Sequence, residues 1–218
     1  MTNLVAAISV FLLSHVIPAY KPLRNGLVKL MGERVFLASY GTLSTFLLLW
    51  LFWAFFNAPY QELWGLVDWT RWVPLLLMPV ICVLIVAGLF SPNPLSISFV
   101  SADKYDLERP GIVALTRHPA ILGLFLWAAC HIPPNGDLAA LLMFGLLALL
   151  SAYGPISLNM KKRQRLGDED WERLTEAAKA SPVSLSDIGW LRIVAGLALY
   201  LVLLFTHELV IGVSPIIW

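Results

Sequence analysis

Six long apolar runs decide what this chain can fold into. The clearest is Phe36 to Phe56, which carries no charged side chain. A bilayer core about 30 Å thick is crossed by roughly 17–25 helical residues, and this run has that length. The first run, Leu4 to Tyr20, is interrupted only by His15, and the third, Trp72 to Phe90, has Pro74 near its start and Pro79 inside. The fourth covers 113–132, where Arg117 and His118 push the expected start of its lipid-buried part to about Pro119. Leu138 to Leu158 is the fifth, and Ile188 to Thr206, with Arg192 near its entry, is the sixth. Continuous runs rather than strict alternation exclude a β-barrel. The expected fold class is therefore all-α, a polytopic membrane bundle of about six transmembrane helices forming a single domain over 1–218.

Composition closes the alternatives. Hydrophobic residues make up 59%, charged residues 13%, and the mean hydropathy is +0.77. A soluble domain of 218 residues could not hide that much apolar surface. A net charge of +1 argues against a nucleic-acid binder, and two cysteines cannot form a disulfide scaffold or a four-ligand zinc site.

The connections agree with six spans. Pro133, Pro134, Asn135, Gly136 and Asp137 form a turn cluster that makes the fourth and fifth spans an antiparallel hairpin. Asp137 is placed to cap the fifth span. Ser91 to Arg109, with Pro92, Pro94 and mixed charges, reads as a surface loop. Lys161 to Asp187 is the one long polar stretch, and its helical pattern around Arg165 to Ala178 reads as a short helix on the inner leaflet. With six spans, fourteen of the fifteen Lys and Arg residues fall on one side, and Arg71 alone on the other. Cytoplasmic loops carry the excess of Lys and Arg, so both termini are expected outside the cytoplasm. Trp64, Trp69 and Trp72 then mark the outer interface, and Trp171 and Trp190 the inner one. The opening Met1-Thr2-Asn3 lacks a basic region, so the first run is expected to be an uncleaved helix.

Ionisable residues within spans are costly and point to function. All four histidines lie in or at the ends of apolar runs: His15 in the first, His118 and His131 at either end of the fourth, His207 at the end of the sixth. Inward histidines in a helical bundle suit a metal or haem. They are too dispersed in depth for a three-ligand zinc site. His118 and His131 are thirteen residues apart, about 20 Å along one helix and about 220° around it, so they cannot both ligate one haem. One ligand must come from this helix and one from another, and depth alone leaves His118 and His131 open as partners of His15. Arg117 and Arg24, at the cytoplasmic edge, set topology or pair with propionates or another anionic group. Cys82 and Cys130 read as small core residues, with Cys130 of added interest beside His131. No C-x-x-C-H motif provides for covalent haem.

Several motifs resemble one family. Thr116-Arg117-His118-Pro119-Ala120-Ile121-Leu122-Gly123, Leu126-Trp127-Ala128-Ala129-Cys130-His131 and Asn135-Gly136-Asp137-Leu138 resemble the core of the NnrU family. So do His15-Val16-Ile17-Pro18-Ala19 with Pro22-Leu23-Arg24, Gly32-Glu33-Arg34, and His207-Glu208-Leu209-Val210-Ile211-Gly212-Val213-Ser214-Pro215. The resemblance covers essentially the whole chain. It implies a bacterial inner-membrane protein, in a family named for its association with nitrite and nitric oxide reduction. The family includes relatives of 15-cis-zeta-carotene isomerase, b-type haem proteins that isomerise a carotenoid precursor. That kinship implies a haem b held by His15 and His131, with His118 the third of the shared histidines. A more distant resemblance, to isoprenylcysteine carboxyl methyltransferases, rests on Arg117-His118-Pro119 and Leu166-Gly167-Asp168-Glu169-Asp170-Trp171. The acidic pair those enzymes place before the Leu-Gly is replaced here by Leu158-Asn159. Three functions are thus expected in turn: a haem-dependent isomerase of a polyene lipid, a haem-binding accessory or sensor protein of nitrite and nitric oxide metabolism, and a membrane methyltransferase.

Overall fold

The computed structural model describes residues 1–16 and 20–216. The expected motif residues Ile17, Pro18 and Ala19, and the end of the chain at Trp218, lie outside the described residues. The described residues are helical apart from turns and one isolated antiparallel bridge between Glu62 and Asp137. The helices are α1 (Thr2–Val16), α2 (Lys21–Met31), α3 (Glu33–Phe56), α4 (Trp72–Phe90) and α5 (Pro119–His131). They continue as α6 (Leu138–Leu166), α7 (Asp168–Ala180), α8 (Leu185–Ile188) and α9 (Trp190–Ile211). Four of the expected spans, carried by α3, α4, α6 and α9, are long and apolar enough to cross a membrane, while α1 and α5 are apolar but shorter. Large side chains such as Leu191 (83% exposed) and Leu209 (86%) stand on the surface. Such surface is stable in lipid, where apolar exposure carries no hydration cost.

The chain forms two compact units: Met1–Gly65 with Gly136–Leu146, and Leu66–Asn135 with Leu147–Trp218. In the first, α1 and α3 pack together, and Phe55 meets Phe144 of α6 edge-on at 6.0 Å. The Asp137 side chain accepts from Ala140 N at 3.0 Å, which satisfies one of the orphan donors at the start of α6 as expected. The Gly136 carbonyl accepts from Leu63 N and Trp64 N, pinning the chain before it.

In the second unit α4 lies against α5 and α9. A Cβ on Gly123 would stand 2.6 Å from Ile85 Cγ1 and 3.2 Å from the Ile81 carbonyl, and one on Gly196 would stand 2.6 Å from Val83 Cα. Membrane helices gain most of their mutual packing where small residues let backbones approach, and these glycines do so here.

Two polar segments depart from expectation. Ser91 to Arg109 is partly inside the unit: Leu95 is fully buried, with Asn93 and Ser96 beside it. Its own side chains satisfy the buried backbone. Asn93 Oδ1 accepts from Leu95 N, and Ser98 Oγ donates to the Ser91 carbonyl at 2.6 Å. Burial pushes the Tyr105 phenol of this loop up to about 12, and the charge of Asp106 adds to the rise. α7 likewise does not offer its apolar face to a leaflet. Trp171, Leu174 and Ala178 are buried with Leu84, Leu95, Ile112 and Ile188 in one core cluster. Trp171 is thus a core residue rather than an interfacial one. An amphipathic helix has the same pattern whether lipid or protein covers it, and here the 3₁₀ turn Gly111–Ala114 does.

Candidate functional site: two matched histidines and a cationic cavity

His15 and His131 sit in the same local setting. His15 occupies the last turn of α1, and its Nδ1 donates to the Phe11 carbonyl at 2.7 Å. The Phe11 ring stands 4.5 Å from the imidazole at an interplanar angle of 50°, and Ser14 Oγ lies 3.3 Å from the same nitrogen. His131 ends α5, and its Nδ1 donates to the Trp127 carbonyl, also at 2.7 Å. The Trp127 ring is 5.5 Å away at 51°, and Cys130 Sγ lies 3.4 Å from Nδ1. Each histidine therefore follows the pattern aromatic, two apolar residues, Ser or Cys, His: Phe11-Leu12-Leu13-Ser14-His15 and Trp127-Ala128-Ala129-Cys130-His131. Side chains four apart on a helix share a face, which is why the ring and carbonyl at i−4 meet the imidazole. A carbonyl can only accept, so Nδ1 carries the proton and Nε2 keeps the lone pair. That is the tautomer a histidine needs to ligate a metal through Nε2.

Cys130, expected as a small core residue, is buried and donates to the Trp127 carbonyl at 3.2 Å. Cys82 is buried in α4. His207 of α9 resembles the pair in part: its Nδ1 donates to the Val213 carbonyl at 2.7 Å, across the turn that ends the helix. In the first unit Tyr40 adds an edge-on ring 6.4 Å from His15. Arg24 is placed there over the Phe36 ring at 5.8 Å and pairs with Glu33 at 3.3 Å.

His118 has a different setting. It is the residue before α5, with non-helical backbone, and Pro119 is the first helical residue as its missing N–H favours. Its Nε2 donates to Asn159 Oδ1 at 2.9 Å, and its Nδ1 accepts from Ser96 Oγ at 2.9 Å. Both ring nitrogens are engaged and the residue is buried. The Arg117 carbonyl next to it accepts from Asn93 Nδ2 at 2.9 Å. Burial pushes the His118 imidazolium down, against the pull of Asn159 and with the help of the Arg117 and Lys162 charges. Asn93, Ser96 and Asn159 are the residues that sequence reasoning missed around this position.

His118 also lines a cavity of about 290 Å³ within the second unit. Arg117, His118 and Asn159 stand at one end, and Ile121, Phe125 and Pro155 form apolar wall. Among the described residues no carboxylate lines it.

A family model described as NnrU protein matches residues 3–215. The chain belongs to the NnrU family. The match takes in both histidine settings, the Arg117 cavity and His207, so every part of the NnrU chain discussed above falls within it. No curated protein and no solved structure matches this NnrU chain significantly. Among its described residues no group of three or more His, Cys, Asp or Glu could hold a metal ion. A haem iron, which takes four ligands from its porphyrin, needs only one or two from the NnrU chain.

Proposed function

We propose that this NnrU-family membrane protein binds a b-type haem, which His15 and His131 would hold. The observation that carries the reading is the repeated setting: each imidazole is tied through Nδ1 to the carbonyl four residues back at 2.7 Å. That bond fixes ring orientation and tautomer and raises the basicity of Nε2, as outer-shell partners of metal-bound histidines do. The aromatic rings of Phe11 and Trp127 hold the two imidazoles apolar on one side, which lowers the local dielectric and tunes an iron's potential. With no C-x-x-C-H motif, the haem is held without covalent attachment. Bound there, the group supplies a one-electron or Lewis-acid centre within an apolar protein, chemistry that suits isomerisation of a polyene lipid.

The absorption spectrum of protein purified from haem-replete cells tests the haem. A Soret band whose pigment leaves in acid–acetone is expected, and colourless protein would end the proposal. Co-expression with a pathway that accumulates 9,15,9′-tri-cis-zeta-carotene tests the activity. A changed isomer is expected; an unchanged one beside a Soret band moves the protein to the accessory role in nitrite and nitric oxide metabolism. We place both termini on the periplasmic side of the bacterial inner membrane, from the fourteen-to-one distribution of Lys and Arg. Reporter fusions after Asp137 and after Trp218 are both expected to read periplasmic, and a cytoplasmic signal at Trp218 would break the six-span arrangement.

A further inference from the structure

The cavity before α5 has its own chemistry, independent of any haem. Its polar end is cationic and unneutralised. The Arg117 guanidinium lies over the Trp171 ring at 5.6 Å and, among the described residues, makes no ion pair. At the nearby start of α7, Asp168 and Glu172 pair with Arg163 and Asp170 with Arg173, while Glu169 is exposed. A half-buried arginine without a counter-ion, stacked on an indole, is poised for an anion from outside the protein.

Asn159 supplies a directed donor. Its Oδ1 accepts from His118 Nε2, which leaves its amide Nδ2 as the donor that this lining residue has to offer. His118 is therefore a positioning residue here: Ser96 orients its ring, and the ring orients the amide. Pro155 lies inside α6 and has no N–H to give the Ser151 carbonyl, and both residues line the cavity.

Beyond this polar end the cavity becomes apolar. Its walls run from Pro119 toward Phe125 on α5 and from Asn159 back to Ser151 on α6, about 9 and about 12 Å of helix. Ala152, exposed at the rim, marks where it opens outward. A volume of about 290 Å³ lies at the low end for ligand pockets, too small for a two-chain lipid.

We propose that this cavity binds a single-chain lipid anion, its carboxylate or phosphate head held by Arg117 and Asn159 and the first part of its chain lying along Ile121, Phe125 and Pro155. Arg117 sits at the cytoplasmic end of its span in the six-span arrangement, at head-group depth, so the rest of the chain continues into the bilayer.

Native mass spectrometry of the full chain released from neutral detergent tests this with four probes: oleate, oleoyl lysophosphatidate, the uncharged monoolein, and inorganic phosphate. One oleate or lysophosphatidate per chain is expected, and the tighter of the two identifies the head group as carboxylate or phosphate. Arg117→Gln is expected to weaken both at least tenfold and Arg117→Lys to restore most of the loss. Ala152→Phe, which leaves the polar end intact, is expected to abolish long-chain binding by filling the mouth; it stays informative should Arg117→Gln fail to fold. Monoolein binding as tightly as oleate would overturn the role of charge. Inorganic phosphate displacing oleate at equal concentration would overturn the role of the chain. Oleate binding unchanged in Arg117→Gln or in Ala152→Phe would overturn the site.

Discussion

At the start of α5, His118 engages both ring nitrogens with side chains of other segments, Ser96 and Asn159; thirteen residues on, His131 ties Nδ1 to its own helix, in a setting that His15 of α1 repeats. The difference shows what a histidine near a membrane is for. One joined on both sides to neighbouring segments is a strut: it fixes the loop after α4 and the end of α6 to the start of α5. One oriented by the carbonyl behind it has its tautomer fixed by its own helix, which is the setting the proposed haem ligands share. The rotation argument drawn from a single continuous helix does not apply in detail, since His118 precedes the first helical residue. The length of α5, about 20 Å, still separates the two histidines.

The comparison can be broken most forcefully at His118. Replacing it with Ala removes two buried hydrogen bonds and leaves Ser96 unpaired, so a loss of about 2–4 kcal/mol in reversible unfolding is expected. A change below about 0.5 kcal/mol would mean the strut carries no load. Asn93→Ala tests the next contact in line. It frees the Arg117 carbonyl and the Leu95 N–H, and about 1–2 kcal/mol is expected from the same measurement. Asp137→Ala, at the cap of α6, is expected to cost about 1 kcal/mol and to leave both ends of α5 as they are. The smallest effect is expected where the two histidine settings differ. Ser14→Cys and Cys130→Ser exchange the side chains beside Nδ1, and since the carbonyl at i−4 makes the bond, each is expected to hold stability within about 0.5 kcal/mol and leave the absorption spectrum of the bound pigment unmoved.

Much of this arrangement was legible in the sequence. Apolar length is read without knowing any contact, so the six runs reappear as α1, α3, α4, α5, α6 and α9. Pro119 and Asp137 marked helix starts through chemistry that is local to a turn. What was not legible depends on partners distant in sequence. Ser96 and Asn93 lie among prolines in a segment that reads as surface, and only the fold brings them to His118 and Arg117, more than twenty residues away. The apolar face of α7 was visible, but a periodic face does not say whether lipid or Ile112 covers it. The matched histidine settings are a different case. Phe11 to His15 and Trp127 to His131 stand in plain sequence, yet aromatic-x-x-small-His is too short to stand out in apolar runs. It acquires meaning only when the structure gives both the same hydrogen bond.

The most direct test of the contrast is the haem-to-protein ratio of His118→Ala and His131→Ala, purified side by side and checked for folding by circular dichroism. The account predicts that folded His131→Ala loses the Soret band or shifts it, as His15→Ala does, while His118→Ala keeps both band and ratio despite its lower stability. Loss of haem in folded His118→Ala with retention in His131→Ala would contradict the account and make His118 the ligand.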